Sequence, residues 1–269
     1  MRAGTNEVLH HRLRRGRAPS GWGAASFLAE TVARVRAAGA SGELTLRADA
    51  GFYARSVVQA CRRGDVRFSI TVRSNVKLRT AIEAIPDAAW TSIPYWLDGG
   101  ADVAETVTTP FAERPGARPV RLIVRRTRPT PNSQLDLFGI SYTYHAFITD
   151  RAGEMLILEA DHRRHAEVEN AIRDLKYGVG LNHLPSGRFG ANAAWLAFNV
   201  MAHNLARWVA QLGLGRIATT KTLRRRLFAL AGRITRSARR LTLHLPARWP
   251  WRLDFGLALA RLRALPRLD

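Results

Sequence analysis

At 269 residues and 46% hydrophobic composition, the chain is long enough to bury a substantial core as one large or two small domains. Its formal charge of +21 and pI near 11.6 exceed what solubility requires and point to a polyanionic partner, nucleic acid before a membrane surface. The single cysteine, Cys61, excludes an internal disulfide, and no Cys and His cluster has zinc-ligand spacing; both suit a reducing, intracellular location.

Residues 1–23 are basic and rich in Gly, Ser and Pro, without a period, and read as loop or as the tail of something that begins earlier. They contain no apolar segment of the signal-peptide kind. A helix is expected from about Ala24 to Ala38, with Phe27, Leu28, Val32 and Val35 apolar and Gly39 as its stop. In GELTLRADAGFY, Leu44, Leu46 and Ala48 alternate with Thr45, Arg47 and Asp49, and Gly51 breaks the run. Asp49 therefore closes a strand, where side chains of an open α/β sheet reach a ligand crevice. Tyr53 to Arg63 reads as a crossover helix with Val57, Val58 and Cys61 inward, and Arg67 to Arg73 as a second strand. Strand, helix, strand argues for a parallel or mixed sheet.

From Ser74 to Glu159 the chain changes to short β-like runs: TSIPYWL, DVAETVTT, PVRLIVRRT, YTYHAFIT and EMLILEA. The pattern predicts an antiparallel β-rich insertion, with loops at Gly99-Gly100, 113–119 and 128–136. Trp90 and Trp96 read as strand-core packing, with stacking on a displaced base as the other possibility. His162 to Gly178, HRRHAEVENAIRDLKYG, is expected to form one helix. On it His162, His165, Glu169, Arg173 and Lys176 fall within about 40° of one meridian, beside an apolar stripe of Val168, Ile172, Leu175 and Val179. Glu167 points to the far side. After a Gly-rich loop, a helix from about Ala191 to Leu212 places Trp195, Phe198, Met201, Leu205, Trp208 and Leu212 at buried spacing; these read as core rather than as a base-stacking platform. Asn199, His203, Asn204, Arg207 and Gln211 interrupt it, so no membrane span is expected. From Lys221 come a basic helix, the strand-like RLTLHL and a last helix around Leu253 to Leu265.

Two acids are placed for chemistry, Asp49 at a strand end and Glu169 on a helix. Two carboxylates sharing divalent metal are the core of two-metal phosphoryl transfer, and oxygen ligands suit Mg2+ or Mn2+. Each also has a structural reading: Asp49 as a turn former before Gly51, and Glu169 paired with Arg173 at the i, i+4 spacing. Arg224, Arg225 and Arg226, and the cations at 236–240, suit phosphate contacts or a solvated basic face equally.

LTLRADAGFY together with the stretch from His162 to Trp208 resembles the insertion-sequence transposases of the DDE type, in the group whose RNase H-like domain carries a β-strand insertion. That group's signature is tyrosine, two residues, arginine, three residues, the catalytic glutamate, six residues, then lysine. The same spacing here gives His162, His165, Glu169 and Lys176, with His in place of both tyrosine and arginine. The resemblance implies Asp49 and Glu169 as catalytic, metal-binding carboxylates for Mg2+ or Mn2+. It implies DNA contacts at His162, His165, Arg173, Lys176, Arg224, Arg225 and Arg226, transposon ends as the partner, and a cytoplasmic, nucleoid-associated location. It also implies an α/β, RNase H-like core at 41–73 and 160–215. The flanking parts are then a basic loop and helix at 1–40, the β insertion at 74–159 and a helical, basic C-terminal part at 216–269. The family's first catalytic aspartate precedes the segment similar to residues 7–40, and only Glu7, Glu30 and Glu43 come before Asp49. The expectation is an N-terminally shortened transposase, impaired in DNA strand cleavage and transfer. The alternative is a non-catalytic DNA-binding remnant that titrates transposon ends or pairs with an intact transposase; the partners implied are a second copy, as a homodimer, or an intact transposase.

Overall fold

The alternation of Leu44, Leu46 and Ala48 produces β1 (Leu44–Ala48), the edge of a six-stranded sheet. The computed structural model describes residues 1–16, 18–19, 21–94, 100–128 and 142–266. The chain divides into two units, one formed by Gly16–Ala166 and the other by Met1–Arg15 with Glu167–Asp269.

In the first unit, α1 (Ala24–Ala37) leads into β1, α2 (Arg55–Arg63) crosses over, and β2 (Val66–Thr71) pairs with β1 in parallel, Ala48 opposite Ile70. After α3 (Val76–Glu83), whose N-terminus is capped by Asn75, come β3 (Thr91–Ser92), β4 (Ala101–Thr108), β5 (Val120–Thr127) and β6 (Thr143–Thr149). The sheet order is β1-β2-β6-β5-β4-β3, and β6 lies antiparallel to β2. The β-rich segment expected as an insertion thus extends the sheet begun by β1 and β2. Trp96 and the expected loop at 129–136 lie outside the described residues.

One sheet face carries the larger core, where Val57, Val58 and Cys61 of α2 meet Phe68, Ile70 and Leu122. Val103, Ile123 and Phe147 on the other face bury Leu158 of α4 (Met155–Arg163). The run EMLILEA, expected as a strand, is this helix. Short apolar runs do not distinguish the two periods, and Met, Leu, Glu and Ala are good helix formers. Helices on both faces of a mixed sheet make the unit an α/β fold, in keeping with an RNase H-like domain.

The second unit takes in α5 (Ala166–Arg173) from Glu167 onward, and α5 runs into a π turn at Asp174–Gly178. The long α6 (Phe189–Trp208) also ends in a π turn, Val209–Gly213, and α7 (Thr220–Leu223) in a third, Arg224–Phe228. A hairpin of β7 (Arg233–Ser237) and β8 (Arg240–His244) and the helix α8 (Arg252–Arg263) complete it. The N-terminal segment is tied to α6: Asn204 accepts from Val8 N–H at 2.9 Å and donates back to Val8 O at 3.1 Å.

α6 forms where its periodicity places it but buries a different face. Trp195, Phe198, Met201, Leu205, Trp208 and Leu212, expected in the core, are all exposed, Phe198 at 65%. The buried positions include Asn192, Asn199, His203 and Arg207. Each of these is hydrogen-bonded inside the unit, which removes most of the cost of taking polar groups out of water.

Candidate functional site

Asp49 stands at the carboxyl end of β1, where the extended backbone gives way to a single 3-10 turn, Ala50–Phe52. Its Oδ1 accepts from the Gly51 N–H at 2.8 Å, an Asx-type cap, while the residue remains exposed. The turn-forming role is therefore real, and it fixes the carboxylate at the end of the parallel pair. Arg73, just past β2, donates to Ala50 O at 2.8 Å and brings a cation to the same end of the sheet.

The single helix expected over 162–178 is interrupted. α4 ends at Arg163, His165 N–H donates to His162 O in a turn, and α5 starts at Ala166. His162 thus sits on α4 in the sheet unit and Glu169 on α5 in the other. His162 is 4% exposed, its Nδ1 2.7 Å from Ser69 Oγ and its Nε2 3.0 Å from Thr71 Oγ1, and its ring stacks on Phe147 at 4.0 Å. Burial, with the nearby His145, His165, Arg47 and Arg125, pushes its pKa down to about 3. Expected as a DNA contact, His162 is a neutral packing element with both ring nitrogens occupied. His165 lies partly buried in the turn between the helices.

Glu169 is exposed in the first turn of α5, and no ion pair joins it to Arg173 among the described residues, so its alternative reading as an i, i+4 partner of Arg173 is not realised. Arg173 and Lys176 follow it, both exposed, the second on the π turn. Asp49 and Glu169 belong to different units, and no cluster of three or more His, Cys, Asp or Glu with metal-binding geometry occurs among the described residues.

The π turn is fastened by a group that sequence reasoning passed over. Asp174 is buried and accepts from Thr220 N–H at 3.0 and 3.1 Å, Thr220 Oγ1 at 3.0 Å and Arg207 Nη2 at 3.2 Å, with His203 Nδ1 at 3.7 Å. Burial lowers the pKa of Arg207 and of His203, and the Asp174 carboxylate opposes both shifts. Gly178 is required beside it, since a Cβ there would stand 2.4 Å from Asp174 Oδ1. A sequence signal existed: Asp174 is the last acid before a run from Leu175 to Leu253 without Asp or Glu, although that run contains many arginines.

Because Thr220 opens α7, its bonds to Asp174 hold α7 against the Lys176 turn. Tyr177, Trp195, Leu205, Phe228 and Arg224 line a hollow of about 540 Å³ between them. Arg224 and Arg225 are exposed, and Arg225 and Arg226 lie over the Trp251 ring at 5.8 and 5.5 Å. Tyr177, next to Lys176, and Arg224 of the third π turn line the same hollow, in the unit that also carries Glu169.

The model of the transposase DDE domain group 1 family matches residues 2–267. The chain belongs to that family. A comparison with curated proteins finds no match. Membership assigns this transposase chain to a group whose members bind DNA, often act as oligomers and use divalent metal ions. No helix of the described residues is long and apolar enough to cross a membrane.

Proposed function

We propose that this transposase acts at the ends of an insertion sequence, binding DNA through the cationic region around Arg173, Lys176 and Arg224 to Arg226. Asp49 and Glu169 are its catalytic, metal-binding carboxylates. The observation that carries the reading is Glu169 itself: an exposed carboxylate without an ion-pair partner among the described residues, followed along its own helix and turn by Arg173 and Lys176, inside a family match spanning residues 2–267. Exposed carboxylates are the hard oxygen donors that Mg2+ or Mn2+ takes. Such an ion, when bound, supplies Lewis-acid stabilisation to the attacking and leaving oxygens of DNA hydrolysis and transesterification. The chain's own contributions are the Gly51 N–H that orients Asp49, the positive charge that seats the phosphates, and the Asp174 network that fixes the turn bearing Lys176.

By itself the chain binds DNA and does not cut it. Of the acids before Asp49, Glu7 accepts from Thr5 and Trp208, Glu30 lies on α1, and Glu43 precedes β1 at the end opposite Asp49, paired with Arg67 at 3.2 Å. The same observation favours the second reading, a non-catalytic protein of the cytoplasm and nucleoid that occupies transposon ends as a homodimer or paired with an intact transposase. Purified chain mixed with supercoiled DNA and Mg2+ or Mn2+ is expected to retard the DNA without nicking it. Nicking or strand transfer that disappears in Glu169→Gln would overturn the inactive-alone proposal and establish Glu169 as catalytic.

A further inference from the structure

Arg233–Ser237 and Arg240–His244 form an exposed two-stranded ribbon in which Arg233 is opposite His244, Ile234 opposite Leu243, Thr235 opposite Thr242, Arg236 opposite Leu241 and Ser237 opposite Arg240. Directly opposed residues of an antiparallel pair share a face, and successive residues alternate faces. One face therefore carries Arg233, Thr235, Ser237, Arg240, Thr242 and His244. The other carries Ile234, Leu241 and Leu243 with Arg236. Thr235 Oγ1 and His244 Nε2, 2.9 Å apart, confirm the first grouping.

The polar face consists of guanidinium, hydroxyl and imidazole groups, and the surrounding run from Leu175 to Leu253 contains no carboxylate to neutralise it. Guanidinium and hydroxyl donors suit phosphate oxygens and base edges, and the major groove, about 12 Å wide, admits a two-stranded ribbon. The strands meet in a two-residue loop where Ala238 takes a left-handed φ of 51°, so the ribbon turns tightly and ends in Arg239 and Arg240.

We propose that the β7–β8 ribbon is a duplex-DNA contact, laid with its face of Arg233, Thr235, Ser237, Arg240, Thr242 and His244 against the nucleic acid. The inference rests on the DNA-binding reading above and adds the element and the face that make the contact.

Anisotropy of the full chain with a labelled mixed-sequence duplex, over a series of salt concentrations, tests it. Arg233→Gln/Arg240→Gln is expected to weaken binding at least about tenfold at 0.1 M salt and to reduce the slope of log K against log salt by about 1.8, two lost phosphate contacts at about 0.9 each. Arg236→Gln, on the opposite face of the same ribbon, is expected to leave the slope unchanged. Circular dichroism and melting of each variant check that the fold is intact. If the three arginines contribute equally per charge, or if the double variant binds like the parent, the ribbon proposal falls while DNA binding stands. Failure of the parent chain to bind duplex at any salt removes the DNA-binding reading and the ribbon with it. Loss of self-association with DNA affinity intact would make the ribbon an interface between copies and overturn the proposal.

Discussion

The two units are held together by different means. The sheet unit packs Phe68, Ile70, Leu122 and Ile148 into an apolar interior and uses ion pairs such as Arg121 with Glu105 along its strands. In the other unit Asp174, Arg207, His203 and Thr220 form a buried polar knot, while Tyr177, Phe198, Leu205 and Phe228 are exposed. Both units bury charge, Glu159 against Arg125 in the first and Asp174 against Arg207 in the second. Apolar burial stabilises both, through Ala206, Ala210, Leu223 and Leu227 in the second, where losing one partner of the knot would leave a buried charge unpaired.

Mutations should separate the two. Phe68→Ala is expected to cost about 4 kcal/mol in the denaturant-induced unfolding of the sheet unit, because it leaves a cavity in a fully buried site. Asp174→Ala strands the buried Arg207 guanidinium and is expected to cost about 3 kcal/mol, seen as earlier proteolysis of the second unit with the sheet unit unaffected. Gly178→Ala should cost about 2 kcal/mol through its clash with the same carboxylate.

His162 gives a test by pH. Its folded pKa, about 3, lies below the ordinary value of 6.5, so between those values the unfolded chain binds the extra proton. The contribution is fully present above pH 6.5 and declines as pH falls toward 3, by about 2 kcal/mol at pH 5. Stability curves of the parent and of His162→Gln should converge in slope above pH 7 and diverge below 6. The smallest effect concerns Cys61, buried and pushed up to about 12 chiefly by desolvation. A thiol reagent should leave it unmodified until the sheet unit unfolds.

Much of this contrast was legible in the sequence on one side only. α1, β1, α2 and β2 follow from plain periodicities, and Asp49 from its place before Gly51. Glu169 stood out through the spacing to Lys176 and the resemblance it carries. The interruption after Arg163 was not legible, because no Gly or Pro marks it; Ser69 and Thr71, distant in sequence, pull His162 into the sheet. The buried face of α6 was misjudged for a related reason. Periodicity assigns burial to Trp195 and Phe198, whereas hydrogen bonds that a hydrophobic pattern does not encode bury Arg207 against Asp174, His203 against Asn6 O and Asn199 against Trp195 O.

Hydrogen exchange of the full chain, with and without duplex DNA, addresses the central claim most directly. The expected result is protection of backbone amides within residues 166–178 and 220–245 on adding DNA, with the strands β2, β5 and β6 unchanged. Protection confined to residues 16–166, or none at a DNA concentration that saturates binding, would contradict the assignment of the DNA-binding surface to the unit that carries Glu169.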